Sequence, residues 1–154
     1  MADHTFTAEP GSLEIVTTYV FNAPRERVFE AYTDPDLLSR WWGVEGDELT
    51  IEKMDVKPGG SWRFIGGSSD KGNEYRFRGV YHDVVAPERL VATWQYEGMP
   101  AVMLQTVTFE EQPGGKTKMT DQMVFQSLSD REAMLTSGMG EGSVPMMDRL
   151  AKLI

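Results

Sequence analysis

The side chain with the clearest capacity for chemistry is Asp121, which lies in a predicted strand from Thr117 to Gln126. By strand alternation it shares one face with Met119, Met123 and Phe125. If that face is internal, the carboxyl points into an apolar cavity, where burial raises its pKa and suits it to accept a proton or anchor a ligand. A bulge or a sheet edge would instead leave Asp121 solvated, and the rarity of unpaired buried acids favours this second interpretation.

A tyrosine supplies an acid–base partner for that aspartate. The segment Glu74 to Val85 has the clearest period-two pattern in the sequence, and it places Tyr75, Phe77 and Tyr81 on one face. We expect this aromatic face to be the inner one. Tyr81 and Asp121 would then form the pair that a cyclase or dehydratase requires.

Metal and nucleophile chemistry have little support in the sequence. The two histidines are His4 and His82, and alternation places His82 on the outer face, where a solvated histidine is the favoured interpretation. The chain has no cysteine, which excludes thiol nucleophiles and zinc–thiolate sites. It also lacks the G-x-S-x-G and G-x-x-x-x-G-K-[ST] motifs. We therefore predict no metal and no cofactor.

Three arginines, Arg63, Arg76 and Arg78, occupy the face opposite the aromatic residues. A solvated outer sheet face is the favoured interpretation. The alternative is a docking surface for a protein partner such as a chaperone. Nearby acidic residues that would neutralise the arginines are Asp70, Glu74 and Asp83.

Length and charge restrict the class of protein. A chain of 154 residues with 40% hydrophobic content is long enough for one domain with one core. The net charge of −9 repels phosphate backbones and anionic membrane surfaces, so we expect no nucleic-acid partner. No apolar run approaches the length of a membrane span, which predicts a cytoplasmic protein without an anchor. A monomer and a homodimer both remain open.

The chain pattern predicts an α+β domain of residues 12–154 with about seven strands in an antiparallel meander. Residues 1–11 are predicted to be a flexible tail. The predicted strands are Leu13 to Phe21, Glu48 to Val56, Ser61 to Ile65, Glu74 to Val85, Arg89 to Tyr96, Val102 to Glu110 and Thr117 to Gln126.

Two short helices are predicted between the first two strands, within Phe21 to Gly43. Asp34 is suited to cap the second helix and Pro35 to occupy its first turn. The segment ends at two adjacent tryptophans, Trp41 and Trp42. We expect the pair to close one end of the sheet.

A capping box of Ser129 and Glu132 predicts the start of the terminal helix. Glycines then weaken the helical pattern, because each costs about 1 kcal/mol relative to alanine. We therefore expect a bend or break near Gly140 to Ser143. Ser143 would recap a final helix in which Pro145 is tolerated.

The ordered set of motifs resembles the START-like, or SRPBCC, superfamily. The resemblance is to the AHSA-type branch, which is similar to the C-terminal domain of the activator of the heat-shock chaperone ATPase, and it covers almost the whole chain. The matching segments are Phe21 to Phe29, Tyr32 to Gly43, Pro58 to Phe64, Gly79 to Leu90, Val107 to Glu110, Gly138 to Gly142 and Asp148 to Leu150.

The resemblance implies a helix-grip fold, in which a curved antiparallel sheet grips a long C-terminal helix. Members often hold lipids, hormones or polyketide-like molecules in a cavity between helix and sheet, a minority catalyse cyclisation, and others act as chaperone partners. This chain departs from the family at Ser143, Val144 and Pro145, where a tryptophan commonly follows the glutamate–glycine of the last helix.

The leading hypothesis is non-enzymatic binding of a small, largely hydrophobic ligand in that cavity. A cyclase or dehydratase and a chaperone-interacting, stress-related protein are the alternatives. The residues predicted to line the cavity are Trp41, Trp42, Trp62, Phe64, Tyr75, Phe77, Tyr81, Trp94, Met119, Asp121, Met134 and Met139.

Overall fold

The computed structural model describes residues 4–137 and 139–154, which form one antiparallel sheet of eight strands and four α-helices. Of Ser69 and residues 139–143 it describes only the secondary structure. The strands are β1 (His4–Thr7), β2 (Glu14–Phe21), β3 (Leu49–Met54), β4 (Ser61–Gly66), β5 (Tyr75–Val85), β6 (Arg89–Tyr96), β7 (Met103–Gln112) and β8 (Lys116–Val124). The helices are α1 (Arg25–Thr33), α2 (Pro35–Leu38), α3 (Leu128–Thr136) and α4 (Met139–Leu153), with a 3-10 turn at Ser69–Lys71.

The sheet is a meander from β3 to β8 that is extended by the N-terminal strands. Its order is β1-β2-β8-β7-β6-β5-β4-β3. Alternate residues of β2, β4 and β6 are buried, so one face of the sheet carries the core. This arrangement is consistent with the expected helix-grip fold.

The strand count differs from the prediction of about seven, because β1 lies within the segment for which the sequence predicts no element. Its four residues pair with β2 in antiparallel register, from His4 opposite Tyr19 to Thr7 opposite Val16. All four residues of β1 are exposed. A strand that contributes backbone pairing at a sheet edge, without burying side chains, leaves no hydrophobic pattern in the sequence.

The two short helices form where the sequence predicts them. The Asp34 carboxylate accepts hydrogen bonds from the backbone N–H groups of Asp36 and Leu37, and Pro35 begins α2. In α1 the buried residues are Val28, Phe29 and Ala31. Their spacing places one apolar face of the helix against the sheet.

The C-terminal helices correct two details of the prediction. The cap of α3 is Ser127, whose hydroxyl accepts a hydrogen bond from the Asp130 N–H, and not Ser129. The helical region is interrupted between α3 and α4, before the predicted break, and α4 continues through Pro145. Burial of its apolar face outweighs the low helix propensity of its glycines.

Helix α4 contacts both the sheet and the residues that follow α2. Met147 and Leu150 are buried in the core. The Tyr19 hydroxyl on β2 donates a hydrogen bond to Asp148 at 2.7 Å. Arg149 donates hydrogen bonds to the backbone oxygens of Trp41 and Gly43.

In the described part of the chain no helix is long and apolar enough to cross a membrane.

Candidate functional site

A cavity of about 130 Å³ lies between the inner face of the sheet and the helices. Its walls come from six strands, from α1 and α2 with the residues that follow α2, and from α3 and α4. Most of the surface is aromatic or aliphatic. The lining residues are Ile15, Thr17, Tyr32, Leu38, Trp41, Trp42, Trp62, Phe64, Tyr81, Leu90, Ala92, Trp94, Met103, Gln105, Val107, Met119, Asp121, Met123, Met134, Met146 and Met147.

Asp121 points into this cavity, so the solvated orientation that the sequence favoured is wrong. Strand β8 is paired on both sides, with Thr17 of β2 and Val107 of β7 opposite Asp121. Its Oδ1 atom is buried, and the accessible part of the residue borders the cavity. Alternation along a central strand without a bulge at this point therefore determines the orientation.

Two polar side chains accompany Asp121 on the cavity wall. Gln105 donates a hydrogen bond from Nε2 to Asp121 Oδ2 at 2.9 Å. Thr17, which is 3% exposed, has a buried hydroxyl oxygen without a hydrogen-bond partner in the described part of the protein. The same holds for Oδ1 of Asp121. Two neighbouring polar atoms therefore have unused hydrogen-bonding capacity inside an apolar cavity.

Burial raises the pKa of Asp121 from 3.8 to about 7, and the Gln105 hydrogen bond opposes that rise. The ionised carboxylate is disfavoured because the cavity supplies little solvation. The described lining contains no lysine, arginine or histidine that would compensate the charge. Asp121 therefore changes protonation state near neutral pH.

Two tyrosines, Tyr32 and Tyr81, also line the cavity. Burial raises the pKa of Tyr32 well above 10.0, and the charge of Asp121 raises it further. The Tyr32 hydroxyl contacts the Met147 sulfur at 3.5 Å. Burial also raises the pKa of Tyr81. Both tyrosines are neutral around pH 7 and act only as hydrogen-bonding groups there.

The tryptophan pair after α2 forms one end of the cavity. Trp41 is 2% exposed, and its Nε1–H donates a hydrogen bond to the Ala31 carbonyl oxygen at 2.9 Å. Trp42 packs edge-on against Phe64 and Phe77, with ring centroids 5.4 and 5.3 Å apart. The two indoles seal the end of the core and also line the cavity.

A second, more open groove of about 430 Å³ adjoins the cavity between the β5–β7 side of the sheet and α3. Trp94, Met103 and Met134 border both spaces. The rim of the groove is apolar, with Tyr96 and Met99 42% and 50% exposed. Methionine side chains adapt readily in shape, so two of the three residues of this shared wall are deformable.

The predicted lining residues divide between the two spaces. Tyr75 and Phe77 line the groove, and the side chain of Met139 lies outside the described residues. The other nine line the cavity: Trp41, Trp42, Trp62, Phe64, Tyr81, Trp94, Met119, Asp121 and Met134. Ligand binding by these residues stays a prediction.

Thr17, Gln105 and Tyr32 were missed as cavity residues by the sequence analysis. Thr17 shares its strand face with Ile15 and Tyr19, and Gln105 falls two residues after Met103. The signal that singled out Asp121, a polar residue at inward parity, applies equally to Thr17 and Gln105.

The arginines predicted on the outer face are balanced by glutamates. Arg63 contacts Glu97 at 2.7 Å and Glu52 at 2.5 Å. Its hydrogen bond lowers the pKa of Glu97. Arg76 pairs with Glu74.

Other polar groups also lie on the outside of the sheet. Arg78 donates a hydrogen bond to the side chain of Gln95, and His82 is exposed, as its parity predicts.

Among the described residues no group of three or more histidine, cysteine or acidic side chains is arranged to hold a metal ion.

The antiparallel sheet, the C-terminal helix packed on its inner face and the cavity between them define a START-like, or SRPBCC, protein. The chain belongs to the family described as Activator of Hsp90 ATPase homolog 1-like protein, whose sequence pattern matches residues 22–154. The resemblance stated from the sequence is therefore confirmed. The fold of this family is commonly a ligand-binding scaffold.

Solved structures from several bacteria share the fold. Protein Ms6760 from Mycobacterium smegmatis is 23% identical, with a TM-score of 0.88 over 100% of this chain and 97% of that chain. A protein from Arthrobacter aurescens is 24% identical, with a TM-score of 0.87 over 97% and 90%. Protein CV1439 from Chromobacterium violaceum is 26% identical, with a TM-score of 0.76 over 92% and 96%. A comparison with curated proteins gives no match.

Proposed function

We propose that this protein binds a small, largely hydrophobic ligand without transforming it, in the cavity and through the adjoining groove. The observation that carries the proposal is the apolar cavity in which Asp121 Oδ1 and Thr17 Oγ1 are buried without hydrogen-bond partners among the described residues. A closed structural core normally satisfies such atoms, whereas a binding site keeps them for the ligand.

The dimensions of the two spaces support a ligand with a ring and a substituent. The cavity of about 130 Å³ is close to the roughly 150 Å³ of an apolar protein cavity that holds benzene. The groove of about 430 Å³ adjoins it across Trp94, Met103 and Met134. A ring in the cavity would therefore carry its apolar substituent toward the groove.

A screen of aromatic and aliphatic small molecules by thermal shift tests this function. A ligand that binds only the folded protein raises the melting temperature in proportion to the logarithm of its concentration. Ala92→Leu is the matched probe, because Ala92 is 7% exposed and lines the cavity. Its larger side chain should fill the ligand space and reduce the thermal shift.

Val91→Leu is the control variant, because Val91 is the neighbouring residue on β6 and does not line the cavity. It should retain the thermal shift of the wild-type protein. A broad screen in which no compound stabilises the wild-type protein would overturn the proposal, as would equal responses of the two variants.

A second candidate function is acid–base catalysis of the cyclase or dehydratase kind. The observation that favours it is the carboxyl of Asp121, which titrates near pH 7 in a cavity that also contains the Tyr81 hydroxyl. In such a reaction the carboxylate takes a proton from the carbon beside a carbonyl. The Tyr81 hydroxyl donates a hydrogen bond to the carbonyl oxygen, which carries the negative charge of the enolate that forms.

Proton exchange in heavy water distinguishes catalysis from binding. NMR should show loss of the α-proton signals of phenylacetone faster with the wild-type protein than with Asp121→Asn, if the enzymatic function is correct. Asp83→Asn is the control, because that carboxylate pairs with Arg89 and does not line the cavity. Exchange at the rate of buffer alone across a set of aryl ketones would argue for binding without catalysis.

A chaperone contact, the third hypothesis, has weaker support. It rests on the outer arginines, and Arg63, Arg76 and Arg78 lie among Glu52, Glu74 and Glu97. A patch with three charges of each sign offers little net attraction to an acidic partner.

A further inference from the structure

We infer, on the basis of the proposed function, that the cavity selects a ligand in which a protonated amine is attached to a small ring. The ammonium group would lie against Asp121 and Thr17, and the ring would lie among the aromatic side chains. The proposed function alone requires only an apolar ligand, and a positive charge on that ligand is the additional property.

The carboxylate of Asp121 has no positively charged partner among the described lining residues. Asp121 receives one hydrogen bond, from Gln105, and its Oδ1 atom is buried without a partner in the described part of the protein. A buried carboxylate that lacks a counter-charge is costly, and a ligand cation would supply that charge. A neutral ligand would satisfy a lone pair of Oδ1 but leave the charge in place.

The cavity wall around Asp121 is rich in aromatic side chains. Trp62 and Trp94 lie with ring centroids 6.1 Å apart, and both line the same cavity as Asp121. The negative faces of aromatic rings attract cations, with tryptophan the strongest, and the attraction increases when the site excludes water. The wall that accommodates the ring of the ligand is therefore also favourable to an ammonium group.

The charge of the cavity lining disfavours anionic ligands. The described lining has no basic side chain, and its titratable groups are Asp121, Tyr32 and Tyr81. A ligand carboxylate would meet like charge at Asp121 and have no positive partner. The two tyrosines face the cavity from α1 and β5 and remain neutral around pH 7, because burial raises the pKa of both.

Three ligands of similar size and different charge test the inference: benzylamine, benzyl alcohol and benzoate. NMR titration of the wild-type protein at pH 8 should give a dissociation constant at least tenfold lower for benzylamine than for benzyl alcohol, and no binding of benzoate. The affinity for benzylamine should fall by up to tenfold per pH unit below about pH 7, as Asp121 takes up a proton. The affinity for benzyl alcohol should change little.

Asp121→Asn should remove the preference for benzylamine over benzyl alcohol, because the amide has the shape of the acid without its charge. Asp83→Asn, which removes one carboxylate outside the cavity, should keep the preference. Equal or tighter binding of benzyl alcohol by the wild-type protein would overturn the amine inference and leave the proposed function intact. Failure of all three ligands, together with a negative broad screen, would overturn the proposed function itself.

Discussion

Gln105 on β7 donates a hydrogen bond to Asp121 on β8 at 2.9 Å, and it engages only one of the two carboxylate oxygens. The pair lies on two adjacent strands, with Asp121 opposite Val107 and Gln105 opposite Met123. The hydrogen bond fixes the carboxyl on the cavity wall without neutralising it. Gln105 therefore holds the carboxyl in position and favours its ionised form, whereas burial disfavours that form.

The stability of the protein should depend on pH through Asp121. Its pKa is about 7 in the folded protein and 3.8 in an ordinary environment, so the unfolded chain loses this proton at lower pH. The free energy of unfolding should therefore fall as pH rises from about 4 to about 7, and this contribution should be level outside that window. Urea denaturation across this pH range measures the slope.

Asp121→Asn should remove that contribution to the slope. At pH 8 the variant should be more stable than the wild-type protein by roughly 2 to 4 kcal/mol, from about 1.4 kcal/mol per unit of pKa shift. Near pH 4 the two proteins should have similar stability, because both side chains are then neutral. A variant with the wild-type slope would show that another group causes the pH dependence.

Loss of the Gln105 hydrogen bond should raise the pKa of Asp121. This bond lowers the pKa by stabilising the carboxylate, so Gln105→Leu should shift the titration of Asp121 to higher pH. The carboxyl carbon signal of Asp121 in a pH series of NMR spectra measures the change. Gln122→Leu is the control, since Gln122 contacts Glu14 and does not line the cavity. An unchanged pKa in Gln105→Leu would contradict the role assigned to the hydrogen bond.

Alternation in the sequence predicted most of the sheet and the inward face of β5. It placed Tyr81 on the inner face and His82 outside. The solvated orientation favoured for Asp121 was wrong, because the same pattern fits a central strand and a solvated edge strand. Pairing of β8 with both β2 and β7 decides it, and those partners are distant in the sequence.

Other features had no local signal strong enough to predict them. Strand β1 is exposed along its length, so no burial pattern marks it. The start of α3 was assigned to Ser129 because a serine with a glutamate three residues later is a common N-terminal capping box. In the structure Ser127 occupies the cap position. The open groove beside α3 depends on how α3 packs near β6 and β7, which is a tertiary property.

The cap of α2 should contribute measurably to stability at the end of the cavity that carries Trp41 and Trp42. Asp34→Ala removes the carboxylate that accepts hydrogen bonds from the N–H groups of Asp36 and Leu37. The free energy of unfolding should fall by about 1 kcal/mol. Asp36→Ala, which removes an exposed ion pair with Arg40, should cost about 0.5 kcal/mol or less. Equal costs in urea denaturation would contradict the capping role.

The glycine at position 79 should be required for the packing of the cavity wall. Gly79 lies opposite Trp62 in the β4–β5 register, and a methyl group there would overlap the Trp62 indole and the carbonyl oxygen of Thr93. Because the carbonyl belongs to the backbone of β6, the sheet itself would have to shift. Gly79→Ala should therefore lower the free energy of unfolding by roughly 1 to 3 kcal/mol and change the fluorescence of the buried tryptophans.

Gly72→Ala separates this steric effect from the conformational cost of replacing a glycine. Gly72 has a φ of 69° and open space around it, so its substitution should cost only about 1 kcal/mol and leave the tryptophan fluorescence unchanged. If Gly79→Ala were no more destabilising than Gly72→Ala and had the same fluorescence spectrum as the wild-type protein, the close contact between Gly79 and Trp62 would not determine the shape of the cavity wall. Ligand titration of Gly79→Ala would then be expected to match the wild-type protein.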